Sequence, residues 1–175
     1  GLAPLLAEHF TVYAPDLPGH GFTAVPPPPL LSLPGIAAAL ARLARALDIV
    51  PALAIGHSAG AAVLARLCLD GEIAPRCLIA LNGALLPLHG LPGHLFSPVA
   101  KLLVRTTIVP RLFARRAAEP EVVERILRGT GSRLDAQGID LYRRLATHPA
   151  HVAAALGMMA RWELQPLARE LPRLT

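Results

Sequence analysis

The chain has 175 residues, 53% of them hydrophobic and only 17% charged, with a formal net charge of +5. Such length and apolar content suit one domain with a sizeable core and exclude an intrinsically disordered chain. The composition argues against nucleic-acid binding too, because the 16 arginines and single lysine are scattered along helical faces and only seven aromatic side chains could stack on bases. A solvated helical face is the default reading of the arginines, with an acidic partner or anionic lipid as the alternative.

In chain order, residues 10–14 (FTVYA) read as a buried strand and residues 15–21 (PDLPGHG) as a turn. Four consecutive prolines make residues 24–30 an extended surface loop. Ser32 is placed to N-cap a helix in which Ile36, Leu40, Leu43 and Leu47 recur at apolar spacing, with Arg42 and Arg45 off that face. Residues 52–55 predict a strand buried on both faces, residues 59–69 a helix, and residues 77–81 a third strand. Cys68 and Cys77 fall in these apolar runs and read as reduced packing residues. Strand, helix, strand, helix, strand is the order of a parallel sheet with crossover helices, so the class is α/β.

The second strand runs into Gly56-His57-Ser58-Ala59-Gly60. A serine hydroxyl is a useful nucleophile when the backbone holds it proud of the sheet, beside a base and above N–H donors. Ser58 is the candidate nucleophile, and the backbone N–H of Ala59, at the start of a helix, is a candidate oxyanion donor. Gly56 and Gly60 are expected to be required sterically on either side of so sharp a turn. His57 adjoins Ser58 but is expected to face away from it.

Beyond Asn82 the pattern predicts helices over 95–104, 119–127, 136–146 with Asp135 as N-cap, and 151–161. A helical block after a βαβαβ unit reads as a lid over the carboxyl ends of the strands, where open α/β sheets bind ligands. Its apolar side chains include Phe96, Phe113, Met158, Met159 and Trp162, as lid core or as ligand contacts. His89, His94, His148 and His151 read as solvated loop histidines, with axial ligation of a porphyrin metal as the alternative. No HExxH or CxxC spacing predicts a metal site in the chain itself. The uncharged stretch 77–100 is long enough to span a bilayer but is broken by Gly and Pro, which argues against a spanning helix.

Residues 14–21 (APDLPGHG) followed by GHSAG make the chain resemble the α/β-hydrolase superfamily. Within it, LSLPGIAAALARL, GHSAGAAVLARLCLDG, LNGALLPLHGLPGHLFSPVAKLL, VPRLFARR, GTGSRLD and HVAAALGMMARWEL look like the magnesium-chelatase accessory α/β-hydrolases of bacteriochlorophyll biosynthesis. The resemblance implies an α/β-hydrolase core over residues 1–84, a helical lid over 85–165, and a return towards the core over 166–175. It implies a bacterial cytoplasmic protein without a cofactor, acting with magnesium chelatase on a small acyl substrate or a tetrapyrrole, with membrane-surface contact as an open alternative. A non-catalytic tetrapyrrole- or chelatase-binding accessory, and a general esterase or carbon–carbon bond hydrolase, share the same core motifs. Only Ser58 and Ala59 match the superfamily's catalytic positions, while His20 matches its structural turn. The triad acid and base are expected beyond Thr175, and the second oxyanion donor before Gly1. A sheet strand is expected to begin near LPRLT, and the chain alone is expected to be poorly stable and inactive.

Overall fold

The computed structural model describes residues 2–87, 108–129, 131 and 133–174. The predicted helix over 95–104, Phe96, His89 and His94 lie outside the described residues. At the centre stand two parallel strands, β1 (Leu53–His57) and β2 (Cys77–Leu81), with Leu53 opposite Cys77 and His57 opposite Leu81. Around them run α1 (Leu2–Leu6), α2 (Leu33–Ala46), α3 (Ala59–Leu69), α4 (Ile108–Arg116), α5 (Pro120–Gly129), α6 (Ala136–Ala146), α7 (Pro149–Met159) and α8 (Gln165–Glu170).

Local chemistry sets the ends of several helices. Ser32 accepts from the Gly35 N–H at 3.3 Å and so caps α2, while Asp135 accepts from Gly138 N–H at 2.7 Å and caps α6. α2 ends when Asp48 turns to φ 51°, letting Ile49 N–H reach the Ala44 carbonyl at 2.8 Å. α3 ends in the same pattern with Gly71 at φ 73° and Glu72 N–H on the Leu67 carbonyl at 2.9 Å. Both are Schellman-type stops, in which a left-handed residue satisfies carbonyls the helix leaves over.

The core lies between α2, α3 and the face of β1 they cover: Leu33, Ile36, Ala37 and Ala41 meet Ala62, Val63, Ala65 and Leu67, with Ala54, Ile73 and Leu167 closing it. Alanine on both facing helices lets their backbones approach closely. Leu167 brings α8 back onto this core and is only 1% exposed, a burial that stabilises by about 2 kcal/mol. The Arg66 guanidinium fixes the same return, bonding both Glu170 carboxylate oxygens at 3.0 and 3.1 Å, and pairs with Asp70 at 2.8 Å.

Several expectations change. Residues 10–14 form no strand and join no ladder among the described residues: Phe10 is a bend whose N–H bonds the Leu6 carbonyl at 2.9 Å, and Phe10 and Tyr13 are exposed. A strand exists only through its partner's hydrogen bonds, and β1 spends its described ladder on β2. β1 is buried on one face rather than two, since Leu53 and His57 are open, and β2 is mostly exposed, Cys77 with it. Along α2 the inward stripe is Leu33, Ile36, Ala37 and Ala41, so Leu43 and Leu47 face solvent. The proline loop closes in a 3-10 turn, Pro28–Leu31, whose Leu31 is buried, and the residues near LPRLT form a second 3-10 turn, Leu171–Arg173, rather than a strand. α4 was not anticipated because Pro110 interrupts its pattern; at the third position it sits in the first turn, where its missing N–H has no helical acceptor to lose.

Candidate functional site

β1 runs through Gly56 and His57 directly into Ser58, and α3 begins at the next residue. Ser58 sits at φ 51° and ψ −119°, a conformation that L side chains rarely adopt. The surroundings over-determine it. Its N–H donates to the Leu81 carbonyl at the end of β2 (3.1 Å), and its own carbonyl accepts from Ala61 N–H at 3.2 Å and Ala84 N–H at 3.0 Å. Thus the segment after β2 latches the turn from outside, and strain of order 1–3 kcal/mol is held by three backbone bonds.

A serine before a helix ordinarily caps it with its hydroxyl. Ser58 does not: its side chain makes no cap bond, and among the described residues its Oγ has no hydrogen-bond partner. The residue is half-buried. The N–H groups of Ala59 and Gly60, at the positive end of the α3 dipole, also have no acceptor among the described residues. The turn therefore presents a free hydroxyl beside free N–H donors, the pairing that acyl transfer requires.

The two glycines are not equivalent. A Cβ on Gly56 would stand 2.5 Å from the Ala61 nitrogen and 2.6 Å from its Cα, whereas a Cβ on Gly60 meets nothing within 4 Å. Among the described residues the steric demand is therefore met at Gly56, and no neighbour imposes it at Gly60. Gly83 is a second close approach at this turn, with a Cβ 3.0 Å from that of Ala61. His57 ends β1, exposed to solvent, and makes no hydrogen bond to Ser58.

His20 is locked into the turn before α2. Its N–H donates to Leu17 carbonyl at 2.8 Å, its Nδ1 lies 3.1 Å from the Pro18 carbonyl, and Phe22 N–H donates to the Asp16 carboxylate at 3.0 Å. Gly19 and Gly21 have φ of 79° and 55°, and a Cβ on Gly21 would fall 2.3 Å from the Asp16 carboxyl.

Helix α7 docks on this turn, with a Cβ on Gly19 reaching 2.5 Å from that of Ala154, and one on Gly157 reaching 2.9 Å from Leu31. His151 of α7 meets the His20 ring edge-on, centroids 5.3 Å apart. It is not a solvated loop histidine: its Nδ1 is buried without a partner among the described residues. Burial pushes its pKa down, with His20 and His148 acting the same way and Asp16 opposing. The contact joins positions 131 residues apart in the chain, so no sequence pattern announces it.

Met158 and Trp162 pack against the core, Trp162 with its indole N–H buried and unpaired among the described residues, while Met159 and Phe113 are exposed. Two clefts open among the helices after β2, one of about 440 Å³ between Arg111, Arg115, Thr147 and Pro149, and one of about 220 Å³ between Glu124, Arg128, Arg133 and Ile139. Neither is lined by a residue of the Ser58 turn. No cluster of metal-ligating side chains occurs among the described residues.

Residues 1–174 match a family described as "Alpha/beta hydrolase family". The chain is 37% identical over 173 residues to the "Magnesium-chelatase 30 kDa subunit" of Rhodobacter capsulatus, a match covering 99% of this chain and 60% of that protein. It thus spans about three fifths of the curated relative's length. Among solved structures it is similar to an alpha/beta hydrolase fold protein from Burkholderia ambifaria, with a TM-score of 0.63 at 20% identity, covering 90% of this chain and 56% of that one. At that identity the likeness is one of fold.

Proposed function

The chain belongs to the alpha/beta hydrolase family, and from that premise we propose that it carries the nucleophile of a serine hydrolase-type site in an accessory protein of magnesium chelatase. The single observation that carries the catalytic part is Ser58 held at φ 51° with its hydroxyl uncommitted beside the free Ala59 N–H. In this reading Ser58 Oγ bonds to an acyl carbon while its proton passes to a base outside the described residues. The developing oxyanion is held by Ala59 N–H, the bond to the leaving group breaks as that proton is delivered to it, and water then releases the acyl group. One such N–H donor contributes roughly a hundredfold or more in rate. The accessory part is supported by the likeness to a protein named as a magnesium-chelatase subunit, with chelatase subunits as partners and a small acyl compound or a tetrapyrrole as ligand.

A fluorophosphonate probe is expected to label Ser58 in the folded full-length protein, with the triad base present, and to leave Ser58→Ala unlabelled. Absence of labelling on folded protein refutes the nucleophile. A non-catalytic accessory is the second reading, favoured by the lack of any histidine or carboxylate bonded to Ser58 among the described residues. Adding the protein to a magnesium chelatase reaction separates the two: a stimulation that Ser58→Ala retains in full assigns the role to binding, and one that it abolishes assigns it to chemistry.

A further inference from the structure

We propose that the outward face of α4 docks on an anionic lipid surface, because it sets two protruding aliphatic side chains between arginines, of which Arg111 and Arg115 are unpaired among the described residues and Arg116 pairs with Glu119. The inward face of α4 is complete, with Pro110 and Ala114 buried and Ala117 buried just beyond the helix. On the opposite side Ile108 and Leu112 stand one turn apart, 70% and 59% exposed. Helical spacing puts Arg111 and Arg115 along one edge of that pair and Arg116 along the other. Arg111 and Arg115 meet no carboxylate among the described residues, although four residues apart on one helix their like charges repel.

Charge is segregated in the same sense over the whole chain. Residues 108–161 hold nine arginines against five carboxylates, whereas residues 1–87 hold four against five. The basic excess belongs to the lid and not to the α/β core. An aliphatic pair at the centre of a basic face fits the headgroup region of a bilayer: the side chains enter the acyl boundary while guanidinium groups reach outward to the phosphates. A nucleic acid would meet the arginines and leave Ile108 and Leu112 without a role, whereas a lipid surface takes up both without needing a shaped complementary pocket. No described helix is long and apolar enough to cross a membrane, so the contact is peripheral.

The full chain is tested by co-sedimentation with vesicles of phosphatidylglycerol and phosphatidylcholine in equal parts, beside vesicles of phosphatidylcholine alone. Binding is expected only to the first, and to be reversed by salt. Arg111→Gln and Arg115→Gln should each weaken it about fivefold, as expected of a basic side chain near an anionic surface. Ile108→Ser with Leu112→Ser, which leaves charge unchanged, should weaken it about tenfold or more. All four side chains are exposed, and circular dichroism checks that the variants fold. Equal binding to neutral vesicles, or indifference to the arginine variants, overturns the proposal. Indifference to the serine variants transfers the face to an acidic protein or nucleic acid, and self-association without lipid that Leu112→Ser abolishes transfers it to a second copy. Either result overturns the lipid assignment.

Discussion

Replacing Gly56 and Gly60 separately by alanine tests the geometry of the Ser58 turn. In Gly56→Ala the new Cβ falls 2.5 Å from the Ala61 nitrogen, 2.6 Å from its Cα and 2.7 Å from the Gly60 carbonyl carbon. These are backbone atoms of the first turn of α3, and the Ala61 N–H is already committed to the Ser58 carbonyl at 3.2 Å. No rotamer relieves the overlap, so the start of α3 must move by about 1 Å to reach an ordinary contact of about 3.5 Å. Overpacking of this kind costs about 1–3 kcal/mol, here towards the upper end because the obstacle is main chain. For a chain of this size that lowers Tm by roughly 6–10 °C.

Gly60→Ala adds its methyl where no described residue lies within 4 Å and replaces glycine within a helix, which stabilises by roughly 0.5–1 kcal/mol and raises Tm by about 2–3 °C. Paired thermal melts followed by far-ultraviolet circular dichroism read both shifts. Fluorophosphonate labelling of the folded variants should fall in Gly56→Ala alone. Equal destabilisation by the two substitutions, or a neutral Gly56→Ala, refutes the steric account.

Ser32→Ala removes the cap of α2 and should cost about 1 kcal/mol in urea unfolding, whereas Ser58→Ala, which loses no cap bond, should stay within about 0.5 kcal/mol of the native protein; a similar loss at both would show Ser58 to be a structural cap. Hydrogen bonding from Arg66 holds the Glu170 carboxyl below its usual range. Its contribution is therefore present above the ordinary glutamate pKa and lost as pH falls through the depressed one. Glu170→Gln should lower Tm at neutral pH, with the gap to native protein closing on acidification; a pH-independent gap refutes the ion-pair origin. His151 is the opposite residue type with the same direction of loss: its folded pKa is depressed, so the unfolded chain takes the proton first and stability declines as pH drops below about 6.5. Tm measured at pH about 7.5 and about 5.5 should fall less in His151→Phe than in native protein, and an identical fall refutes the buried-neutral assignment.

What the sequence determined by itself was local. α3 occupies residues 59–69, β2 residues 77–81 and α6 residues 136–146, as the apolar spacing predicts, and Ser32 and Asp135 cap their helices, because a cap bond spans only three residues. The G-x-S-x-G pattern between strand and helix places Ser58 in its turn, although the bonds that hold its φ of 51° come from Leu81, Ala61 and Ala84, outside the pentapeptide. Tertiary structure decided the rest. Residues 10–14 have strand composition, but a ladder needs a partner and none is provided among the described residues. Which stripe of α2 faces inward depended on where α3 packs, so Leu43 and Leu47 remained outside. Gly60 is free while Gly56 is not, because only the path of α3 back across β1 sets what a Cβ would strike. Arg66 with Glu170 and His20 with His151 join residues more than a hundred positions apart. Periodicity carries no information about such pairs, since burial and charge at one end acquire meaning only when folding delivers the other.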